Sequence, residues 1–182
     1  GRWVEAPGRA VFRALEKALP DAAIVAEDLG YVTPDVTELL EATGFPRMTV
    51  LQFAFWETDD PFLPHNHRRN SVVYTGTHDN ETTRGWWSAL NETDRARVLD
   101  YLGADPREIE WSLIRMAYNS VAERAVVPMQ DVLGLGNEAR MNTPAVPNGN
   151  WAWRARAEPF RPELAARLRR LAVLSGRAKG EA

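Results

Sequence analysis

Two acids, Glu27 and Asp79, each stand just past a short apolar run, Ala22-Ala23-Ile24-Val25-Ala26 and Ser71-Val72-Val73-Tyr74-Thr75. Acids at strand ends lie where loops vary over a rigid base, the place where barrel proteins keep their chemistry. Hydrolysis or transfer of a glycosyl unit needs one carboxyl that holds and donates a proton. It needs a second that meets the charge of an oxocarbenium-like transition state. A plainer reading is that each acid caps the helix after its strand. Spacing leaves both readings open.

His78, beside Asp79, offers hydrogen bonds to a sugar hydroxyl. Phe53, Phe55, Trp56, Trp86 and Trp87 offer flat apolar faces, although such rings serve packing more often than binding. His65 and His67 share a loop with Pro61 and Pro64 and have no third ligand in view, so they read as a solvated pair and no metal is assigned. No cofactor is implied either, because no Gly-x-Gly-x-x-Gly turn follows a strand. Cysteine is absent. That removes disulfides and thiolate nucleophiles, leaves the chemistry to carboxylates, His and hydroxyls, and suits a reducing cytoplasm, the expected location.

The elements that must position these groups alternate. A helix over Ala10 to Leu19, stopped by Pro20, precedes the strand 22–26. Thr33 and Pro34 supply an N-cap and an N1 proline, Val36, Leu39 and Leu40 an apolar stripe, and Gly44 a stop. Met48 to Phe55 reads as a second strand with a long polar loop, and residues 71–75 as a third. Helices are expected over Glu81 to Leu90, Asp94 to Leu102, and from Asp105-Pro106 to Ala117. Ala125-Val126-Val127 is a fourth strand. After irregular chain from Gly134 to Asn150, Pro162 to Leu174 is an amphipathic helix whose Leu164, Leu168 and Leu171 dock inward. Arg167, Arg169 and Arg170 then form a solvated face. Alternation of strands and helices argues an α/β fold with a parallel sheet, either part of a barrel or a doubly wound open sheet.

With 182 residues, 45% of them hydrophobic and 26% charged, the chain has the balance of an ordinary globular domain. It is shorter than the roughly 250 residues of a complete (β/α)8 barrel. A net charge of −3 gives no basic field for nucleic acid. No stretch approaches the ~20 apolar residues of a membrane span, and Gly1 to Val4 has no apolar signal-peptide core.

Several ordered blocks resemble the 4-α-glucanotransferase (amylomaltase) family. They are Ala26-Glu27-Asp28-Leu29-Gly30, Val50-Leu51-Gln52-Phe53-Ala54-Phe55, and Tyr74 through Thr83 with Thr77-His78-Asp79-Asn80. Pro128 to Gly136, Arg140-Met141-Asn142 and Gly149 to Arg154 complete the set. The resemblance implies that residues 1–182 are the C-terminal half of a (β/α)8 TIM barrel with a C-terminal amphipathic helix, one portion of a single catalytic domain.

Glu27, on the fifth strand, then matches the family's general acid/base. Asp79, after the seventh, matches the acid that binds sugar hydroxyls and stabilises the transition state. His78, Phe53 and Glu57 match substrate contacts. The family's nucleophile, an Asp in an Arg-x-Asp motif after the fourth strand, has no counterpart here. The implied reaction is retaining transfer of α-1,4-glucan segments between malto-oligosaccharides without a cofactor. The implied partner is the missing N-terminal half. An α-amylase-like hydrolase and a non-catalytic fragment are the alternatives.

Overall fold

The computed structural model describes residues 2, 4, 6–103, 106–156 and 160–180. Gly1, Trp3 and Asp105, used above for the chain start and a helix start, lie outside the described residues.

Among the described residues three parallel strands, β1 (Arg47–Val50), β2 (Ser71–Tyr74) and β3 (Arg124–Val126), form one sheet in that order. Val50 pairs with Tyr74 and Tyr74 with Val126, so the strands end level with one another. Parallel neighbours require crossovers. The chain supplies helices α1 (Gly8–Ala18), α2 (Pro34–Thr43), α3 (Thr83–Ala89), α4 (Glu92–Leu102), α5 (Ile109–Asn119), the short α6 (Met129–Val132) and α7 (Pro162–Leu174). The fold is α/β.

Two expected strands differ. Residues 22–26 make a single parallel bridge, Ala26 to Arg47, rather than a buried strand. Among the described residues their run has β1 on one side only, and Val25 is 39% exposed. Without a second neighbour and cover on both faces, a ladder has nothing to propagate along. The strand expected through Phe55 stops at Val50, because β2 ends opposite it at Tyr74. Residues past Val50 have no ladder partner, and Leu51–Phe53 close into a 3₁₀ turn in which Ala54 N–H donates to Leu51 O over 3.1 Å.

Helix α5 explains most of the core. Leu113 and Ala117 are fully buried and join Val73, Leu51 and Trp86 against the sheet. Trp111 and Ile114 face α7 through Leu171, with Leu164 and Leu168 packed beside them. One helix is thus sandwiched between two layers, and removing Leu113 to Ala would cost about 2–5 kcal/mol. Arg167 does not point simply into solvent. Its guanidinium lies 4.0 Å over the Trp111 ring and forks onto Glu108 at 2.8 Å from each oxygen. Arg169 and Arg170 are exposed, as expected of that face.

Phe55 and Trp86 are core residues, their rings 6.1 Å apart, with Tyr101 edge-on to Phe55. The two histidines of the proline-bearing loop are not a solvated pair. His65 is exposed, but His67 is buried, bonded to Ser120 and to the Phe62 carbonyl.

Candidate functional site

A cavity of about 900 Å³ opens at the end of the sheet where the strands finish. Glu27, Phe53, His78 and Asp79 all line it, together with Arg140 and Trp151. Glu57 is exposed and is not among the lining residues. The structure therefore brings together four of the five residues singled out from sequence.

Neither acid caps a helix. Helix α2 starts behind Thr33, and α3 starts behind Thr82, whose hydroxyl accepts the Gly85 N–H over 3.1 Å. Both Glu27 and Asp79 line the cavity instead.

Glu27 is exposed and reaches its place through its neighbours in sequence. Ala26 N–H donates to Pro46 O at 2.9 Å, and Asp28 accepts the Met48 N–H at 3.0 Å while facing Arg47 at 3.9 Å. Asp28 is thus occupied in holding this segment to β1. Tyr74, at the end of β2, has its hydroxyl pKa pushed up, first by burial and then by the negative charge of Glu27. Both Tyr74 and Glu27 line the cavity.

The segment from Gly76 to Thr82 is a compact turn. Asn80 Oδ1 accepts the Thr77 N–H and hydroxyl at 2.9 and 2.8 Å, and Asp79 N–H donates to Thr77 Oγ1 at 3.2 Å. Gln52 braces it from the 3₁₀ turn after β1, donating to Glu81 O at 3.0 Å. From the other side, Arg140 donates to the Asp79 carbonyl at 2.6 Å and Asn142 N–H to the His78 carbonyl at 3.0 Å. The Asp79 carboxylate accepts from the Asn142 amide and stands 3.3 Å from His78 Nε2.

The His78 ring lies 5.0 Å from that of Trp151. Trp151 adopts a left-handed φ of 59°, a conformation that is rare for a bulky side chain. Its N–H donates to Met141 O at 2.7 Å, which helps to hold it there. Phe53 is 39% exposed, its ring edge-on to Phe62 at 5.5 Å, so one face remains open to the cavity.

Sequence reasoning gave no role to Arg140, Asn142 or Trp151. They sit in or beside the irregular stretch 134–150, where no periodicity marks a facing side. Among the described residues no cluster of three or more His, Asp or Glu is arranged to hold a metal ion, and no helix is long and apolar enough to cross a membrane.

Arranged this way, the cavity holds an exposed carboxyl able to exchange a proton, a fixed carboxylate beside an imidazole, and two aromatic faces. These are the groups that a polyhydroxylated ring would use. Comparison with known proteins points the same way. A family model described as 4-alpha-glucanotransferase matches residues 1–159. A chloroplastic/amyloplastic 4-alpha-glucanotransferase of Arabidopsis thaliana is 49% identical over 97% of this chain and 32% of its own length. The 4-alpha-glucanotransferase of Thermus thermophilus is 45% identical over 97% of this chain and 37% of its own. A solved amylomaltase from Streptococcus agalactiae in complex with acarbose superposes with a TM-score of 0.93 at 35% identity, covering 98% of this chain and 37% of that one. The chain spans about a third of the length of the curated relatives it matches.

Proposed function

This chain belongs to the 4-alpha-glucanotransferase family, and from that premise we propose that it supplies the acid/base half of a retaining α-1,4-glucan transferase. The observation that carries the reading is the meeting of Glu27, Phe53, His78 and Asp79 around one cavity at the strand ends. In this reading the sheet and its helices are the C-terminal half of a (β/α)8 barrel, closed by strands on the remaining sequence of the complete protein. The nucleophile belongs to that remaining part.

The roles are those that the family resemblance implies for these residues. The nucleophile displaces the glycosidic oxygen at the anomeric carbon while Glu27 delivers a proton to that oxygen. The 4-hydroxyl of an incoming glucan then attacks the anomeric carbon of the covalent glucosyl intermediate, giving its proton to Glu27 as the bond to the nucleophile breaks and the nucleophile is released. Asp79, restrained by its neighbours, meets the ring hydroxyls where charge develops, and His78 hydrogen-bonds beside it. Phe53 offers its open face to the acceptor ring. Glu57 would meet only sugars that extend past the cavity. The acarbose complex of the Streptococcus agalactiae amylomaltase supports a saccharide ligand. The absence of cysteine suits the cytoplasm.

The test is maltotriose disproportionation by the complete protein and its Glu27→Gln variant. Transfer yields a ladder of longer glucans, whereas a hydrolase yields only smaller sugars. The variant should lose several orders of magnitude on maltotriose and far less on a donor with a good leaving group, because an amide cannot protonate the departing oxygen. Equal losses on both donors would remove Glu27 from the acid role.

A further inference from the structure

Asp131 lies outside the cavity, yet it is tied to the loop that carries two of its groups. It is 1% exposed and accepts three hydrogen bonds. Thr83 N–H donates to Oδ1 at 2.8 Å, and the Thr75 and Thr83 hydroxyls donate to Oδ2 at 2.5 and 2.8 Å. Thr75 is the first residue past β2 and Thr83 the first of α3, so one carboxylate fastens both ends of the loop from Gly76 to Thr82. Both threonines are fully buried, which leaves their hydroxyls no water to turn to.

Burial holds the Asp131 carboxyl above the usual range, with the three hydrogen bonds working against that rise. A buried acid is a costly way to fill space, and an apolar side chain would fill it at less cost. What an apolar group cannot do is fix the distance between a strand end and a helix start. We infer that Asp131 is a positioning residue, which sets the placement of His78 and Asp79 by clamping Thr75 and Thr83. The inference rests on the transferase reading for its kinetic consequence, not for its geometry.

The complete protein is the material for the test. Asp131→Asn keeps the acceptor for Thr83 N–H but turns an amide NH₂ toward the two hydroxyls. Thr75→Val and Thr83→Val each remove one hydroxyl at nearly constant shape and carry the test if Asp131→Asn does not fold. On the wild-type background each change should lower kcat about tenfold with KM within about twofold. On an Asp79→Asn background, with the same activated glycosyl donor used for both backgrounds, the same changes should cost less than about threefold, because the clamp acts chiefly through Asp79 and only in part through His78. Equal factors on both backgrounds, or an unchanged kcat, would overturn the inference.

A second readout needs no activity. Amide exchange at Thr77, Asp79 and Asn80 should quicken about tenfold in the clamp variants while Val72 and Val73 stay unchanged. If the wild-type protein transfers no glucan, the transferase reading fails and exchange alone decides the clamp. Unchanged exchange in the loop then ends it.

Discussion

The side-chain amide of Asn142 donates to Asp79 Oδ1 over 2.5 Å, joining residues 63 positions apart. A charge-assisted bond of this kind is worth about 1.5–3 kcal/mol, and it fixes which way the carboxylate faces. Asn142→Ala should lower kcat for glucan transfer by about ten- to a hundredfold. Asn142→Asp, which sets a like charge against Asp79, should do worse. Steady-state kinetics on maltotriose check both, and an Asn142→Ala enzyme with wild-type kcat would show that Asp79 is held without it.

Gly76 has no room for a side chain. A Cβ there would stand 2.6 Å from Gln52 Nε2, the atom that braces the Glu81 carbonyl. Gly76→Ala should push Gln52 aside and destabilise by about 1–3 kcal/mol. Adding Gln52→Ala removes the obstacle and should recover part of that loss. Denaturant unfolding of the single and double variants decides it, and a double variant less stable than Gly76→Ala would place the conflict elsewhere.

His67 makes stability depend on pH. Its Nε2 lies 2.8 Å from the Phe62 carbonyl and its Nδ1 2.6 Å from Ser120 Oγ. A carbonyl only accepts, so Nε2 carries the proton and Nδ1 takes the Ser120 hydroxyl. Burial, the main cause, pushes the His67 pKa down, and nearby His65 adds to this, while the Phe62 carbonyl opposes it. Folding therefore favours the neutral ring. The resulting stability is present above the unfolded value of about 6.5 and is lost as pH falls through the lower folded value. Melting temperatures at pH 7.5 and pH 5 should fall further apart in the wild type than in His67→Gln. Identical pH profiles would remove His67 as the cause.

Arg177 gathers the end of α5. Its guanidinium donates to the carbonyls of Tyr118 and Ser120 at 2.8 Å and Ala122 at 2.9 Å. Arg177→Ala strands these part-buried acceptors and should cost about 2 kcal/mol or more in urea unfolding. Arg177→Lys should recover less than half, since an ammonium cannot span the same fork. Full recovery by Lys would reduce the interaction to charge alone.

Local chemistry in the sequence carried much of this. Pro34 and Gly44 bracket α2 as their backbone preferences require, with Gly44 at φ 65°, and α7 runs from Pro162 to Leu174 as its leucine spacing indicates. The place of Asp79 was legible because the end of β2 can be read from its apolar run. Residues 22–26 misled because a continuous apolar run reports composition, whereas a ladder needs neighbours. Asn142 and Asp131 were illegible for a related reason. Each acts on groups more than forty residues away, and nothing local distinguishes an Asn that holds a carboxylate from one that closes a turn. His67 looked like surface because proline-bearing loops usually are.

The two sides of the cavity are restrained very unequally. Among the described residues Asp79 sits in a turn braced by Gln52, Arg140, Asn142 and the Asp131 clamp, while the segment of Glu27 is held by one bridge at Ala26 and the grip of Asp28 on Met48 and Arg47. In mechanical terms the cavity has a stiff jaw and a compliant one. A ring pressed between them would move Glu27 before Asp79, so under the proposed roles the charge-stabilising group would serve as the fixed datum and the proton carrier would adjust to it. In the proposed transfer, that division would suit a group that has to meet two different oxygens in succession, the one leaving and the one arriving.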